Sequence, residues 1–267
     1  MILIFFNMFV FLIKLFFKKF IMYTSHSAIP SYPPNVTKYP NFYHCKEHIF
    51  VLNPGDMLYI PSKWFHWVFS YPDLDSKHRE NIAFSYSVSE FGGDICNEFH
   101  AQKPYVFRLD KREHPFFNYT FDTFKEKYNQ KVQVLKSTKN VLVPVQKNGN
   151  DNISLDNLTF NEIEELMKKD THNIYMGQNG CLQRERPPEC LFRGFPNSKF
   201  NGYQWVSTMR KKTEYIDSGL HYDMTHGILI QIRGTKVVRL YSPANAKNLY
   251  LQPLFTKKVV SKMKSIL

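Results

Sequence analysis

Two short stretches hold side chains whose types and spacing can do chemistry. In Ser218-Gly219-Leu220-His221-Tyr222-Asp223 an imidazole and a carboxylate stand two residues apart. Alternate positions of a strand face the same side, so both groups can reach one metal ion. With a second histidine they would make the three-point face used by non-haem Fe(II) oxygenases, which leaves coordination positions open for a cosubstrate and O₂. Taken alone, the His-x-Asp pair reads as a chance strand dipeptide. The second stretch runs from Gly55 to His66 as GDMLYIPSKWFH. Alone it reads as an aromatic core strand with a satisfied histidine.

Together the two stretches carry more. GDMLYIPSKWFHWV resembles the GD-x-L-x-IP-x-x-W-x-H signature of the JmjC and cupin-like 2-oxoglutarate oxygenases, and HYD followed by QIRGTKVVRLYSP resembles their first-ligand strand and the hairpin after it. The resemblance implies a mainly β fold with some α, a double-stranded β-helix of the jelly-roll or cupin type. It implies His221, Asp223 and His66 as ligands of Fe(II). Lys236 resembles the lysine that pairs with the distal carboxylate of 2-oxoglutarate, and Ser218 the hydroxyl that supports it. Tyr175, in NIYMGQ, resembles a cosubstrate-binding tyrosine of the asparaginyl-hydroxylase branch. Ser85 and Gly227 stand where that branch often has asparagines, Ser85 at the wall of the cosubstrate pocket. The implied activity is that of a dioxygenase, with hydroxylation of a protein side chain expected first, N-methyl demethylation second and hydroxylation of an RNA base third. A non-catalytic cupin-like scaffold is the rival from another class.

The motifs stand in exchanged order. In the family the His-x-Asp strand comes first, whereas here His66 precedes His221 by 155 residues. Residues 24–95 therefore read as the C-terminal half of an oxygenase domain and 100–267 as its N-terminal half, so that the barrel is circularly permuted or split. A permutant closes one iron site within the chain; a piece of a tandem array closes sites between chains; a decayed or mis-delimited gene product binds no iron.

The elements that must position these residues follow from composition and pattern. The chain has 267 residues, 43% of them hydrophobic, which excludes a disordered or collagen-like protein. Lys and Arg outnumber Asp and Glu by 35 to 23, for a net charge of +12. That charge is spread along the chain, which favours a solvated surface over a nucleic-acid groove. The four cysteines (Cys45, Cys96, Cys181, Cys190) are too far apart for a zinc knuckle and fit a reducing intracellular compartment, cytoplasm or nucleus. Residues 1–22 are almost wholly apolar and read either as an uncleaved membrane anchor or as untranslated sequence ahead of Met22. Residues 24–45, rich in Pro, Ser and Tyr, read as an ordered loop. Residues 48–70 read as two strands joined by tight turns, and strands are also expected at NIAFSYSV, KPYVFRL, KNVLVPVQ, GYQWVSTM, HGILIQIRG and TKVVRLYSP. Ser154–Asp170 carries a helix signal, with Thr159 and Glu162 at capping-box spacing and an apolar face of Phe160, Ile163, Leu166 and Met167. His44 and His48, four apart beside Pro-rich sequence, are not expected to bind metal.

Overall fold

The computed structural model describes residues 23–73, 82–92, 102–108, 115–138, 153–169, 171–176, 203–209 and 215–253. The apolar leader 1–22, the strand expected at KNVLVPVQ, and Cys96, Cys181 and Cys190 lie outside them. No helix among the described residues is long and apolar enough to cross a membrane.

The strands in chain order are β1 (Tyr23–Ser27), β2 (Glu47–Leu52), β3 (Asp56–Ile60), β4 (Phe65–Tyr71), β5 (Ala83–Gly92), β6 (Tyr105–Arg108), β7 (Val132–Ser137) and β8 (Ile153–Leu158). They continue as β9 (Asn173–Met176), β10 (Tyr203–Met209), β11 (Ile216–Asp217), β12 (His221–Tyr222), β13 (His226–Arg233), β14 (Thr235–Tyr241) and β15 (Leu251–Pro253). Among the described residues two α-helices, α1 (Phe121–Lys127) and α2 (Phe160–Lys168), interrupt them. A smaller sheet runs β15-β1-β12-β4-β14-β2, with β11 also on β4, and a larger one runs β6-β3-β13-β5-β10-β9-β7-β8. All pairings are antiparallel. The fold is mainly β with few helices, two antiparallel sheets in the manner of a cupin jelly roll.

From β2 to β5 and again from β12 to β14, consecutive strands alternate between the sheets. This corrects two expectations. Residues 48–70 hold most of β2 and all of β3 and most of β4, three strands rather than two, with β3 in the opposite sheet from its neighbours. HGILIQIRG and TKVVRLYSP form β13 and β14, which do not pair as a hairpin but lie in opposite sheets. Strand periodicity fixes which side chains share a face, while the choice of partner is left to the corner that follows the strand. At the β13–β14 corner stands Gly234, with φ at +74° and its Cα so close to β4 that an added Cβ would lie 2.4 Å from the Tyr71 carbonyl oxygen. Only a residue without a side chain fits there.

The two outer faces are sealed differently. Behind the larger sheet, Phe121, Phe124, Phe160, Ile163 and Met167 of the helices pack on Phe84, Tyr86, Val88, Ile228 and Ile230. The capping box of α2 forms as expected, with Thr159 Oγ1 accepting from Glu162 N at 3.2 Å and Glu162 Oε2 accepting from Thr159 N at 2.7 Å. The helix is shorter than the sequence pattern suggests, because residues 153–158 pair with β7 as β8. Behind the smaller sheet, Ile29, Tyr39 and Phe42 from the Pro-rich segment cover Phe65, Trp67, Phe69 and Tyr241. That segment is mostly loop, as expected, but its start is β1. Between the sheets, Leu52, Leu58, Trp64, Leu229, Val238 and Leu240 close one end.

The Gly234 corner gives a direct test. Gly234→Ala is expected to cost roughly 1–3 kcal/mol in backbone strain, with the contact to Tyr71 adding to it, read as a lower urea midpoint.

Candidate metal centre

His66 lies in β4, between His221 of β12 on one side and Leu240 of β14 on the other. Facing residues of neighbouring strands share a side of the sheet, so His66 and His221 meet in the interior. Tyr222, between the ligand candidates, turns outward onto Phe65 at 4.9 Å between ring centroids, which leaves His221 and Asp223 on the inner side. The ligand atoms of His66, His221 and Asp223 all lie within 4.8 Å of one another. Among the described residues no other group of three or more His, Cys, Asp and Glu side chains is placed to hold a metal ion.

Each imidazole is turned by a backbone carbonyl. His66 Nδ1 lies 3.1 Å from Trp64 O and His221 Nδ1 lies 3.0 Å from Gly219 O. With those nitrogens donating, both Nε2 lone pairs are left for a metal, the usual arrangement of a ligating histidine. Burial and the neighbouring His66 hold His221 well below the ordinary histidine range, so it stays neutral. Asp223 Oδ2 sits 3.5 Å from His66 Nε2, and the Asp223 carbonyl accepts from Lys63 N at 2.8 Å. Two imidazoles and one carboxylate are a donor set that suits Fe(II).

A cavity of about 500 Å³ opens beside the triad. Lys236 lines it from β14, 4% exposed, with its ammonium donating to Ser70 Oγ at 2.5 Å. Burial lowers its pKa to about 7. Among the described lining residues it is the only lysine or arginine. Ser87 Oγ, buried and without a hydrogen-bond partner among the described residues, belongs to the same wall. A dicarboxylate would find there one cation and two hydroxyls, so the residues present fit 2-oxoglutarate as well as the metal.

The other residues singled out from sequence are distributed as follows. Ser218 lines the cavity, but its hydroxyl accepts from Val68 N at 3.1 Å and donates to Gly219 O at 3.2 Å. Tyr175 of β9 lines it and stacks on Trp205 at 6.0 Å; burial and the Asp223 carboxylate keep its hydroxyl protonated. Gly227 lines it too. Ser85 is fully buried and accepts from Gln231 Nε2 at 3.1 Å. It is not among the lining residues, whereas Ser87 and Ser89 on the same face of β5 are. His44 and His48 make no site: the His48 ring packs on the edge of Trp64 at 5.6 Å. Cys45 is a free, half-buried thiol.

Sequence reasoning missed three residues. Ser70 shares a strand face with His66 and was in principle visible, but its partner Lys236 lies 166 residues on. His26 of β1 stacks on His221 at 5.6 Å, with nothing around it in the sequence to mark it. Asp217, 2% exposed, accepts from Gly219 N at 2.6 Å and from Trp67 Nε1, and burial lifts its carboxyl to about 6.

A carboxyl raised on folding prefers its proton in the native state, so its ionisation penalises the fold above the unfolded value of 3.8 and in full above about 6. Asp217→Asn, which keeps the acceptor oxygen, is expected to gain on the order of 2–3 kcal/mol at pH 8. The gain should shrink as pH falls from 6 through 4, as read by urea unfolding at each pH.

Comparison with known proteins agrees with this geometry. The cupin-like domain model matches residues 17–91 and again residues 88–265. A JmjC domain-containing protein of Acanthamoeba polyphaga mimivirus is 26% identical over 244 residues, 82% of this chain and 38% of that protein. This chain thus spans well under half of the relative's length. No solved structure matches. With the family model covering most of its length in two segments, the chain belongs to the cupin-like domain family.

Proposed function

We propose that the chain is an Fe(II)- and 2-oxoglutarate-dependent dioxygenase that hydroxylates a protein side chain, built as one oxygenase domain whose halves stand in exchanged order. The observation that carries this reading is the convergence of His66, from the first half, with His221 and Asp223, from the second, beside a buried lysine in one cavity. His66 and His221 would bind the metal through Nε2 and Asp223 through a carboxylate oxygen. When bound, Fe(II) and 2-oxoglutarate supply the activation of dioxygen that places one oxygen atom in a substrate C–H bond.

The chain's own work is positioning. Trp64 O and Gly219 O hold the imidazoles in one tautomer, so no reorganisation is needed when the metal arrives. Lys236, steadied by Ser70, offers a single positive charge to the distal carboxylate of the cosubstrate. The Tyr175 hydroxyl, kept protonated, can donate a hydrogen bond within the cavity. Trp205 and Leu135 make an apolar flank of the cavity. With the one lysine among the described lining residues committed to the cosubstrate, the remaining wall favours a neutral side chain over a phosphodiester. The spacing of the cysteines favours an intracellular setting.

The deciding experiment loads the chain anaerobically with Fe(II), measures its iron content, and then follows succinate formation once 2-oxoglutarate and O₂ are added. One iron per chain is expected, with both signals lost in His66→Ala and in His221→Ala. A folded sample that takes up no iron overturns the reading and leaves a cupin-like scaffold.

Lys236 adds a pH dependence. Its pKa of about 7 leaves the amine neutral above that pH, so binding a carboxylate there requires uptake of a proton. Affinity for 2-oxoglutarate, titrated from pH 6.5 to pH 9, is expected to fall by up to about tenfold per pH unit above 7. Lys236→Met should bind weakly at every pH and flatten that profile.

A further inference from the structure

The register of the strands around His221 contains an irregularity that decides where the imidazole points. On β4, Ile216 stands opposite Ser70 and Asp217 opposite Phe69. Continued without a break, that ladder would bring Leu220 opposite His66 and His221 opposite Phe65. Instead His221 is opposite His66 and Tyr222 opposite Phe65, so one extra residue has been inserted between the two pairings. Because strand faces alternate with a period of two, that insertion exchanges inside and outside. Without it Leu220 would face the cavity, and His221 would join Phe65 in the outer aromatic cluster. Bulges of this kind re-aim side chains beside functional sites.

What holds the bulge is a clamp made by three consecutive residues. Ser218 N donates to Val68 O at 3.0 Å, and Ser218 Oγ accepts from Val68 N at 3.1 Å. Gly219 takes a φ of +72°, open to glycine at little cost. Its N–H donates to Asp217 Oδ1 at 2.6 Å, and its carbonyl accepts from His221 Nδ1 at 3.0 Å. The same Asp217 oxygen accepts from Trp67 Nε1, on the residue next to His66. One buried carboxylate therefore ties the strand of the first ligand to the turn that orients the second.

We propose that Asp217 is a positioning residue for the metal centre: by holding the bulged turn at Gly219 against Trp67, it keeps His221 facing His66. The inference rests on the metal-centre reading given under Proposed function, and it concerns placement of a ligand rather than contact with substrate or cosubstrate.

The test is Co(II) binding to the full chain, followed by titration and by the visible absorption of the bound ion, with thermal unfolding alongside. Asp217→Ala is expected to weaken Co(II) binding about 10- to 100-fold, the usual effect of removing a group that orients a ligand, and to shift the visible band. Asp217→Asn retains the oxygen that accepts both hydrogen bonds and should restore affinity and spectrum. If Asp217→Ala does not fold, Trp67→Phe, which removes the indole donor and trims the buried ring, should weaken binding in the same direction. Co(II) affinity and spectrum unchanged in the folded variant, with only the unfolding temperature lowered, would overturn the proposal and leave Asp217 a purely structural group. An unsubstituted chain that binds no Co(II) would overturn the metal-centre reading itself and this inference with it.

Discussion

Every strand from Tyr23 to Gly92 finds its hydrogen-bond partners beyond residue 102. None of β1 to β5 pairs with another of the five, and β11 to β15 in turn pair only with them. The pairing of β4 with β12, which sets His66 against His221, is one case of this interleaving. A sheet built this way leaves each part with open backbone edges until the other is in place, and such edges are costly alone and prone to wrong pairing. Only β7 to β10 form a ladder among themselves, β8-β7-β9-β10. The contacts that close the barrel span much of the chain, so loop-closure entropy must be met before they are rewarded. The candidate metal centre thus exists only in the completed fold.

The interior is divided by side-chain size and polarity. At one end large apolar groups from both sheets interdigitate, with Leu52, Leu58, Val238 and Leu240 nearly or fully removed from water. Toward the other end β5 presents Ser87 and Ser89, and β10 presents Ser207, small side chains that leave volume unfilled. The aromatic mass lies outside the sheets, in the Trp67 and Phe69 cluster on one side and the Phe84 and Phe124 cluster on the other. Packing the outer faces tightly lets the inner face be polar and partly hollow without loss of the fold. Asp217 and Lys236 are the groups for which this arrangement is expensive, since each is desolvated, as the direction of its pKa shift shows.

The parts legible in the sequence were those fixed by local pattern. The strand at HYD, with its ligands inward and Tyr222 outward, follows from alternation, and the start of α2 follows from Thr159 and Glu162. The illegible parts depend on a partner far along the chain. A run such as HGILIQIRG shows that it is a strand but not which sheet accepts it, so a hairpin was expected where a corner turns at Gly234. Residues 153–158 joined β8 because β7 offered an edge, against the helical pattern downstream. The bulge at Ser218–Gly219 leaves no local mark, since an extra residue is defined only against the register of β4, about 150 residues earlier.

The exchanged order of the motifs looked like the main obstacle to reading an oxygenase from this sequence, and the topology gives a reason why it need not be one. In a double-stranded β-helix consecutive strands cross from sheet to sheet, so the neighbours that matter are rarely neighbours in sequence. Which of the two strands is synthesised first has no bearing on whether β4 and β12 can lie side by side, provided a link can join them over the surface. The mimivirus relative is informative here, because a shared stretch covering 82% of this chain cannot lie wholly before residue 95 or wholly after residue 100. It must run across residues 95–100, so the two proteins align through that point of the chain. What the centre asks of the chain is that β4, β12 and β14 lie side by side, and not the order in which those strands are made.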